Sequence, residues 1–286
     1  MGKNPNRAAA AARAAEMRVQ AARKERQRKQ LITAVVAVVV VIIAVAVGVV
    51  IANRPREAAP AAAGSATAAL AQLTQLPAAT LDASATPTAA RVPQKLNGAT
   101  ALTADGKPKV LYVGAEFCPF CAMERWPLIA ALSRFGTFEG LSPTTSATEE
   151  SIPDIPTWSF VGSTFKSDYI AFDAVETQTR DFKPLQTLEG ENKALFEKYN
   201  PGGGIPWVNF GGTHATGGAS VDAEVFRDAT YDSLIAGIQN PASPVGQTIN
   251  PAINLLTAQI CSLTQGQPTN VCTSQGVMAA TPLLVK

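Results

Sequence analysis

Two cysteines, Cys118 and Cys121, are the residues of this sequence whose spacing most directly suggests chemistry. Cysteines separated by two residues can close a small disulfide ring and exchange it with other thiols. If the first cysteine begins a helix, unpaired backbone N–H groups and the helix dipole stabilise its thiolate. We therefore expect Cys118 to be the nucleophile and Cys121, one turn further along, to be the shielded thiol that resolves a mixed disulfide.

Two other interpretations of this pair stay open. It could be half of a zinc site completed by Cys261 and Cys272, although the ten residues between those two fit poorly with the short spacings of zinc knuckles. It could also be a purely structural disulfide. Redox chemistry is favoured because the local order is strand, loop, cysteine pair and helix. We expect no metal, and no cofactor beyond the thiols themselves.

The neighbours of the pair predict the elements that position it. Residues 110–113 are apolar and partly β-branched and end at Gly114, which predicts a strand followed by a loop. After Cys121, apolar residues recur at helical spacing as far as Gly136, a residue typical of helix C-termini. Pro127 lies inside this helix and, because it lacks an N–H group, predicts a bend.

Further elements follow along the chain. Residues 137–168 are predicted to be an insertion, of which residues 137–156 are rich in Pro, Ser and Thr and lack periodicity. The remaining predictions are strands at 158–162 and 169–177, a helix at 191–199, a strand after Pro206, and helices at 253–261 and 272–280.

Residues 31–51 form an uncharged run of 21 residues, almost all Val, Ile and Ala. At about 1.5 Å per residue such a helix spans a hydrocarbon core of roughly 30 Å, so we predict a transmembrane helix. A cleaved signal peptide is the alternative. Nine Lys and Arg residues precede the run, which places the N-terminus in the cytoplasm and the rest of the chain outside. The remaining residues are net acidic, and nothing in them suggests nucleic-acid binding.

The sequence therefore predicts a single-pass protein of the cell membrane with an extracytoplasmic α/β domain. Within the segment after the membrane, Ala66, Leu70, Leu73 and Leu76 fall at helical spacing, so a short helix could pack on that domain. The predicted segments are a basic tail (1–30), a transmembrane helix (31–51), an Ala-, Thr- and Pro-rich tether (52–100) and a domain (101–286) with a helical extension (241–286).

The motif AEFCPFC after a strand, a proline within the next helix, and Gly-Ile-Pro before a strand and a Gly-Gly turn resemble the thioredoxin superfamily over residues 105–240. The longer stretch GAEFCPFCAMERWPLIAALSRFG resembles the membrane-anchored thioredoxin-like proteins grouped as domain of unknown function 929, over residues 65–286. The resemblance implies a thioredoxin-like central sheet flanked by helices. It also implies a cis Ile205-Pro206 bond that aims the Ile205 backbone at an extended peptide beside Cys118. An ordinary trans turn is the alternative.

Two departures from the thioredoxin pattern leave the redox direction open. Tyr112 stands where thioredoxin has a buried acid, so Glu116 or a water would have to take its place. The middle residues of the motif are Pro-Phe, closer to glutaredoxins, and include no histidine. The single histidine, His214, is expected at the far end of the sheet from Pro206.

Charged residues and the second cysteine pair complete the candidate site. Glu124 and Arg125 are expected to be solvated, with tuning of the thiols by Arg125 as the alternative. Outside the cytoplasm, Cys261 and Cys272 should pair as a structural disulfide, or alternatively relay electrons.

Together these features predict a thiol-disulfide oxidoreductase whose partners are protein thiols and disulfides, with a membrane electron carrier as a further partner. A non-enzymatic binding module of the cell envelope is the competing hypothesis.

Overall fold

The structure is a computed structural model that describes residues 60–84 and 92–285. The chain divides into two compact units, and the described residues belong to the second, Ala58–Lys286. The predicted basic tail and the predicted transmembrane helix at residues 31–51 lie outside the described residues. No helix within the described part of the chain is long and apolar enough to cross a bilayer.

The described residues form a mixed α/β domain with a central sheet and flanking helices. The strands are β1 Gln94–Lys95, β2 Thr103–Ala104, β3 Lys107–Gly114, β4 Thr137–Glu139, β5 Ser142–Thr145, β6 Pro156–Ser159, β7 Thr164–Lys166, β8 Ala171–Glu176, β9 Trp207–Phe210 and β10 His214–Gly217. The α-helices are α1 Pro60–Thr74, α2 Ala78–Asp82, α3 Pro119–Ser133, α4 Gly190–Tyr199, α5 Tyr231–Gln239, α6 Pro244–Leu263, α7 Thr269–Cys272 and α8 Gln275–Ala280. Short 3₁₀ helices cover Ala223–Phe226 and Thr281–Val285.

The central strand of the main sheet is β3. It pairs in parallel with β8 and antiparallel with β9, while β10 and then β1 continue the sheet beyond β9. Strand β2 pairs with the first residues of β3. Because β8 and β3 are parallel, their C-terminal ends, Glu176 and Gly114, lie side by side at one edge. The cysteine pair follows β3 directly, so it also lies at this edge.

Alternating residues of β3 face two different hydrophobic clusters. Val110 and Tyr112 belong to the main core, to which α3 and α6 also contribute. Leu111 and Val113 face a smaller cluster on the opposite side of the sheet, where Phe196 of α4 also packs. The strand is therefore buried on both faces, which is why it reads as a continuous apolar run in the sequence.

The region predicted as an insertion, residues 137–168, is more ordered than the sequence suggested. It contains two small antiparallel sheets, one formed by β4 and β7 and the other by β5 and β6. Trp158 of β6 is fully buried against Trp126 of α3, with ring centroids 4.7 Å apart. The loop predicted at residues 137–156 thus contains strands β4 and β5, whereas residues 146–155 lie outside helices and strands.

The N-terminal described helices pack on the domain. The helix indicated by the spacing of Ala66, Leu70 and Leu73 is present as α1, whereas Leu76 follows its end. Ala66 and Leu73 are buried, and α1 contacts both α3 and α5. In α2, the carbonyl of Leu81 accepts a hydrogen bond of 2.8 Å from the Asn254 side chain of α6.

The C-terminal helices differ in length from the prediction. The expected helix at residues 253–261 is the second half of the longer helix α6, which begins at the N-cap Ser243 and includes Pro251. The expected helix at residues 272–280 is split into α7 and α8. Cys261 and Cys272 form a disulfide that links α6 to α7.

Replacing both Cys261 and Cys272 by serine should lower the free energy of unfolding by about 3 kcal/mol, because the bridge closes a short loop in the unfolded chain. Denaturant unfolding of the full-length protein in detergent, followed by the fluorescence of its three tryptophans, measures this change. Alkylation of Cys118 should be unchanged in the folded variant, since the bridge lies between the C-terminal helices α6 and α7. An unchanged free energy of unfolding would contradict the prediction.

Candidate active site

Cys118 caps the N-terminus of α3. Its backbone is extended, Pro119 follows at the first helical position, and its sulfur accepts a hydrogen bond of 3.3 Å from the backbone N–H of Cys121. Proline suits this position because its missing N–H would have no helical partner there. The sulfur therefore takes the place that a serine or aspartate oxygen takes in an ordinary N-cap, where backbone donors favour a negative charge.

The two thiols have unequal acidities. The hydrogen bond with the Cys121 side chain lowers the pKa of Cys118 below its ordinary value, together with backbone N–H groups and Arg125, although burial opposes the shift. Burial raises the pKa of Cys121 well above its ordinary value. Both cysteines are free thiols. The arrangement therefore makes Cys118 the more acidic of the two thiols.

The Gly-Ile-Pro segment lies against Cys118. The Ile205-Pro206 bond is cis, and the Cys118 sulfur lies 3.9 Å from the carbonyl oxygen of Ile205. The two segments are 87 residues apart in sequence. The structure therefore brings together all four residues proposed for catalysis and substrate binding.

The sulfur of Cys118 is less accessible than expected. Cys118 is 5% exposed and Cys121 is fully buried, whereas Phe120 between them is 43% exposed. Phe120 and Ile205 border a groove of about 580 Å³. Its remaining lining residues are Val92, Gln94, Ala215, Thr216, Gly217, Gly218, Ala219 and Ser220. Cys118 itself does not line this mostly apolar groove; it adjoins the groove through Ile205, whose carbonyl oxygen lies 3.9 Å from the sulfur.

A buried ion pair lies next to the thiols. Arg125 donates two hydrogen bonds to Glu176, at 2.9 and 2.7 Å, and a third of 2.9 Å to the backbone oxygen of Ala115. Both charged side chains are fully buried. The expectation of a solvated Arg125 was wrong, because the end of β8 supplies a carboxylate to this turn of α3.

The structure also shows the surroundings of Tyr112, which stands at the position of the missing acid, and of Glu116, its expected substitute. Tyr112 is fully buried, its hydroxyl has no hydrogen-bond partner among the described residues, and burial raises its pKa well above the usual value. Glu116 accepts a hydrogen bond of 2.6 Å from the Ser159 hydroxyl. The sequence analysis missed Glu176, the buried counter-ion of Arg125. A glutamate at the end of the strand predicted at residues 169–177 was the available signal.

The structure also shows where the two other candidate residues, Glu124 and His214, lie. The expectation of a solvated Glu124 was also wrong, since it is fully buried and its carboxylate accepts a hydrogen bond of 2.6 Å from the backbone N–H of Ser220. Glu124 thereby fixes one wall of the groove to α3. His214 pairs with Phe210 at the opposite end of the β9–β10 hairpin from Pro206.

The described residues offer no metal centre. No group of three or more His, Cys, Asp or Glu side chains converges within residues 60–84 and 92–285. A zinc site built from four cysteines would require Cys261 and Cys272 as ligands, and these two are bonded to each other.

The described domain is thus a mixed α/β fold that carries a free dithiol at the N-terminus of a helix. The chain belongs to the family described as Domain of unknown function (DUF929), whose model matches residues 95–262. This match spans β1 to nearly the end of α6 and includes Cys118, Cys121 and Pro206. No curated protein and no solved structure matched the chain.

The unequal acidities predict how alkylation depends on pH. A lowered pKa keeps the thiolate of Cys118 present at lower pH, so the midpoint of its alkylation should lie below that of Cys121, whose pKa is raised. Iodoacetamide rates on the full-length variants Cys121→Ser and Cys118→Ser measure the two midpoints. Cys121→Ala should raise the midpoint of Cys118, because it removes the largest stabilising contact. Equal midpoints for the two thiols would contradict the assignment.

Proposed function

We infer that this protein is a thiol-disulfide oxidoreductase that acts on protein thiols. The inference rests on one observation: a thiol of lowered pKa and a thiol of raised pKa share the first turn of α3, beside the backbone of Ile205. A structural disulfide needs no such difference in pKa between its two cysteines. An exchange reaction needs it, because one sulfur must attack and the other must stay protonated until it resolves.

The proposed reaction exchanges two electrons between two sulfur pairs. In one direction, a substrate thiolate attacks the Cys118–Cys121 disulfide at Cys118, forms a mixed disulfide and releases Cys121 as a thiolate that takes up a proton. The second substrate thiol then loses its proton and attacks the first substrate sulfur, which leaves an oxidised substrate and a reduced protein. In reverse, the Cys118 thiolate attacks a substrate disulfide and Cys121 resolves the intermediate.

A thioredoxin-like fold is part of this proposal. Its support is the order of elements: β3 leads to the cysteine pair and α3, β8 lies parallel to β3, and Pro206 precedes β9 in an antiparallel hairpin. Within such a fold, Ile205 would offer its backbone to an extended substrate next to the reactive sulfur.

The proposed location is the outer face of the cell membrane. The apolar run at residues 31–51 and the basic residues before it support an anchor with a cytoplasmic N-terminus. The bond between Cys261 and Cys272 also favours an oxidising compartment, since structural disulfides persist there and are rare in the cytosol.

A non-enzymatic binding module is the second candidate. The observation that favours it is the low exposure of Cys118, because a residue that is 5% exposed meets a protein substrate only if the adjacent groove admits the substrate chain. The two candidates differ in one respect that can be measured, which is whether Cys118 forms covalent intermediates.

The full-length Cys121→Ser variant should accumulate mixed disulfides through Cys118, because the resolving thiol is missing while a hydroxyl remains at its position. Purified protein is mixed with insulin, whose disulfides serve as the probe, and adducts are separated by non-reducing electrophoresis. We expect a reductant-sensitive adduct with Cys121→Ser and at least tenfold less with the wild-type protein, whose Cys121 resolves the intermediate.

The matched control is the Cys118→Ser/Cys121→Ser variant, which should give no adduct. A folded Cys121→Ser protein that forms no adduct, while its Cys118 is alkylated normally, would support the binding module instead.

The topology is tested by cysteine labelling in intact cells. Met278 is 51% exposed, so Met278→Cys in a Cys118→Ser/Cys121→Ser background should react with a membrane-impermeant maleimide added outside. The matched variant Asn6→Cys, in the predicted basic tail, should react only after the membrane is opened. Labelling of both positions from outside, or of neither, would contradict the proposed orientation.

A further inference from the structure

The buried Arg125–Glu176 pair indicates the direction of the exchange. We propose that Arg125, held by Glu176, makes the reduced form of Cys118 and Cys121 the more stable one, so that the protein oxidises substrate thiols rather than reducing substrate disulfides. This inference rests on the proposed function and adds the direction that the sequence leaves open. Arg125 acts through the two sulfurs and is therefore a positioning residue.

Geometry places the guanidinium close to the cysteine pair. Arg125 follows Cys121 by four residues on α3, so both side chains lie on the same face of the helix. Its Nη2 donates to the oxygen of Ala115, three residues before Cys118. The guanidinium thus joins the loop that precedes the motif to the helix that follows it.

Hydrogen bonds to Glu176 engage only part of the Arg125 guanidinium. Glu176 engages Nε and Nη2, while Nη1 has no hydrogen-bond partner within the described residues. Both side chains are fully buried, so the surrounding medium screens the charge weakly. For Cys118, the hydrogen bond with Cys121 is the largest cause of the lowered pKa, and the cation acts in the same direction. For Cys121, burial raises the pKa, and the cation opposes this shift only in part.

Glu176 keeps the cation in place. A buried guanidinium without a counter-ion is strongly unfavourable, and a bidentate carboxylate both offsets this penalty and fixes the plane of the group. The charge of Glu176 in turn raises the pKa of Arg125 despite burial, so the guanidinium stays protonated at any working pH. The cation beside the dithiol is permanent.

A permanent cation affects the reduced and oxidised forms unequally. Above the lowered pKa of Cys118 the reduced form carries a thiolate there, whereas the disulfide carries no charge. A cation therefore lowers the free energy of the reduced form alone and makes the disulfide the stronger oxidant. The balanced reaction converts the Cys118–Cys121 disulfide and two substrate thiols into the protein dithiol and a substrate disulfide. One substrate proton passes to Cys121, and the other is released to solvent while Cys118 remains a thiolate.

The test compares the equilibrium with glutathione for three full-length variants. Arg125→Met/Glu176→Met removes the cation together with its counter-ion, and Glu176→Gln removes only the counter-ion. Lys166→Gln/Glu139→Gln is the matched control, because it removes an ion pair from the surface, where the lysine is 70% and the glutamate 59% exposed. The oxidised fraction is measured by thiol labelling at fixed ratios of reduced to oxidised glutathione.

The two buried-pair variants should shift in opposite directions. Arg125→Met/Glu176→Met should lower the equilibrium constant for reduction by about tenfold, or about 30 mV for this two-electron couple. Glu176→Gln should raise the equilibrium constant for reduction, because the charge of Glu176 no longer offsets that of Arg125. The surface control should match the wild type. Shifts in the same direction, or no shift in either variant, would overturn the inference, since a purely structural pair would disturb the site equally.

If the Glu176→Gln protein fails to fold, Arg125→Lys takes its place in the comparison. Arg125→Lys keeps the cation, so its equilibrium constant for reduction should stay close to that of the wild type, whereas the constant of Arg125→Met/Glu176→Met should fall. Equal shifts of this constant in the two variants would overturn the inference. The glutathione equilibrium needs no protein substrate, so it separates this inference from the proposed function. A wild-type protein that forms no Cys118–Cys121 disulfide would overturn both.

Discussion

The hydrogen bond from the backbone N–H of Cys121 to the sulfur of Cys118 is the interaction on which the candidate site depends. It makes a sulfur the cap of α3 and so places the first cysteine at the positive end of the helix and the second inside it. Two residues of the same type thereby acquire different chemistry from position alone. The rest of the fold presents this turn at the edge of the sheet, next to Ile205 and the end of β8.

The environment of this turn is unusual because it contains two fully buried charged side chains. Removing one partner of such a pair typically costs about 3–5 kcal/mol, while replacing both by apolar residues is often neutral. Stability alone therefore does not require Arg125 and Glu176. The structure uses the pair to connect three elements, since Arg125 lies on α3, Glu176 ends β8 and Ala115 follows β3. Its position beside two thiols gives the charge an electrostatic role as well.

The sequence predicted those features that depend on local pattern. Strand β3, the helix after Cys121 and the strand after Pro206 each have a clear apolar pattern and a Gly or Pro boundary, and all three are present. The sequence did not predict strands β4 and β5, because they lack a local pattern and are held by pairing with β7 and β6 further along the chain. It likewise missed the partner of Arg125, since Glu176 lies 51 residues away and becomes adjacent only when β8 pairs with β3.

The four cysteines show how one chain can use the same side chain in two ways. Loop closure favours local pairs, so the separations of three and eleven residues both direct each cysteine to its neighbour rather than to the other pair. Cys261 and Cys272 are bonded across the junction of α6 and α7, away from any helix N-terminal cap. Cys118 and Cys121 instead face backbone donors, a buried cation and an apolar groove. Sequence spacing therefore selects the partners, and the surroundings decide which pair stays closed and which is equipped to exchange.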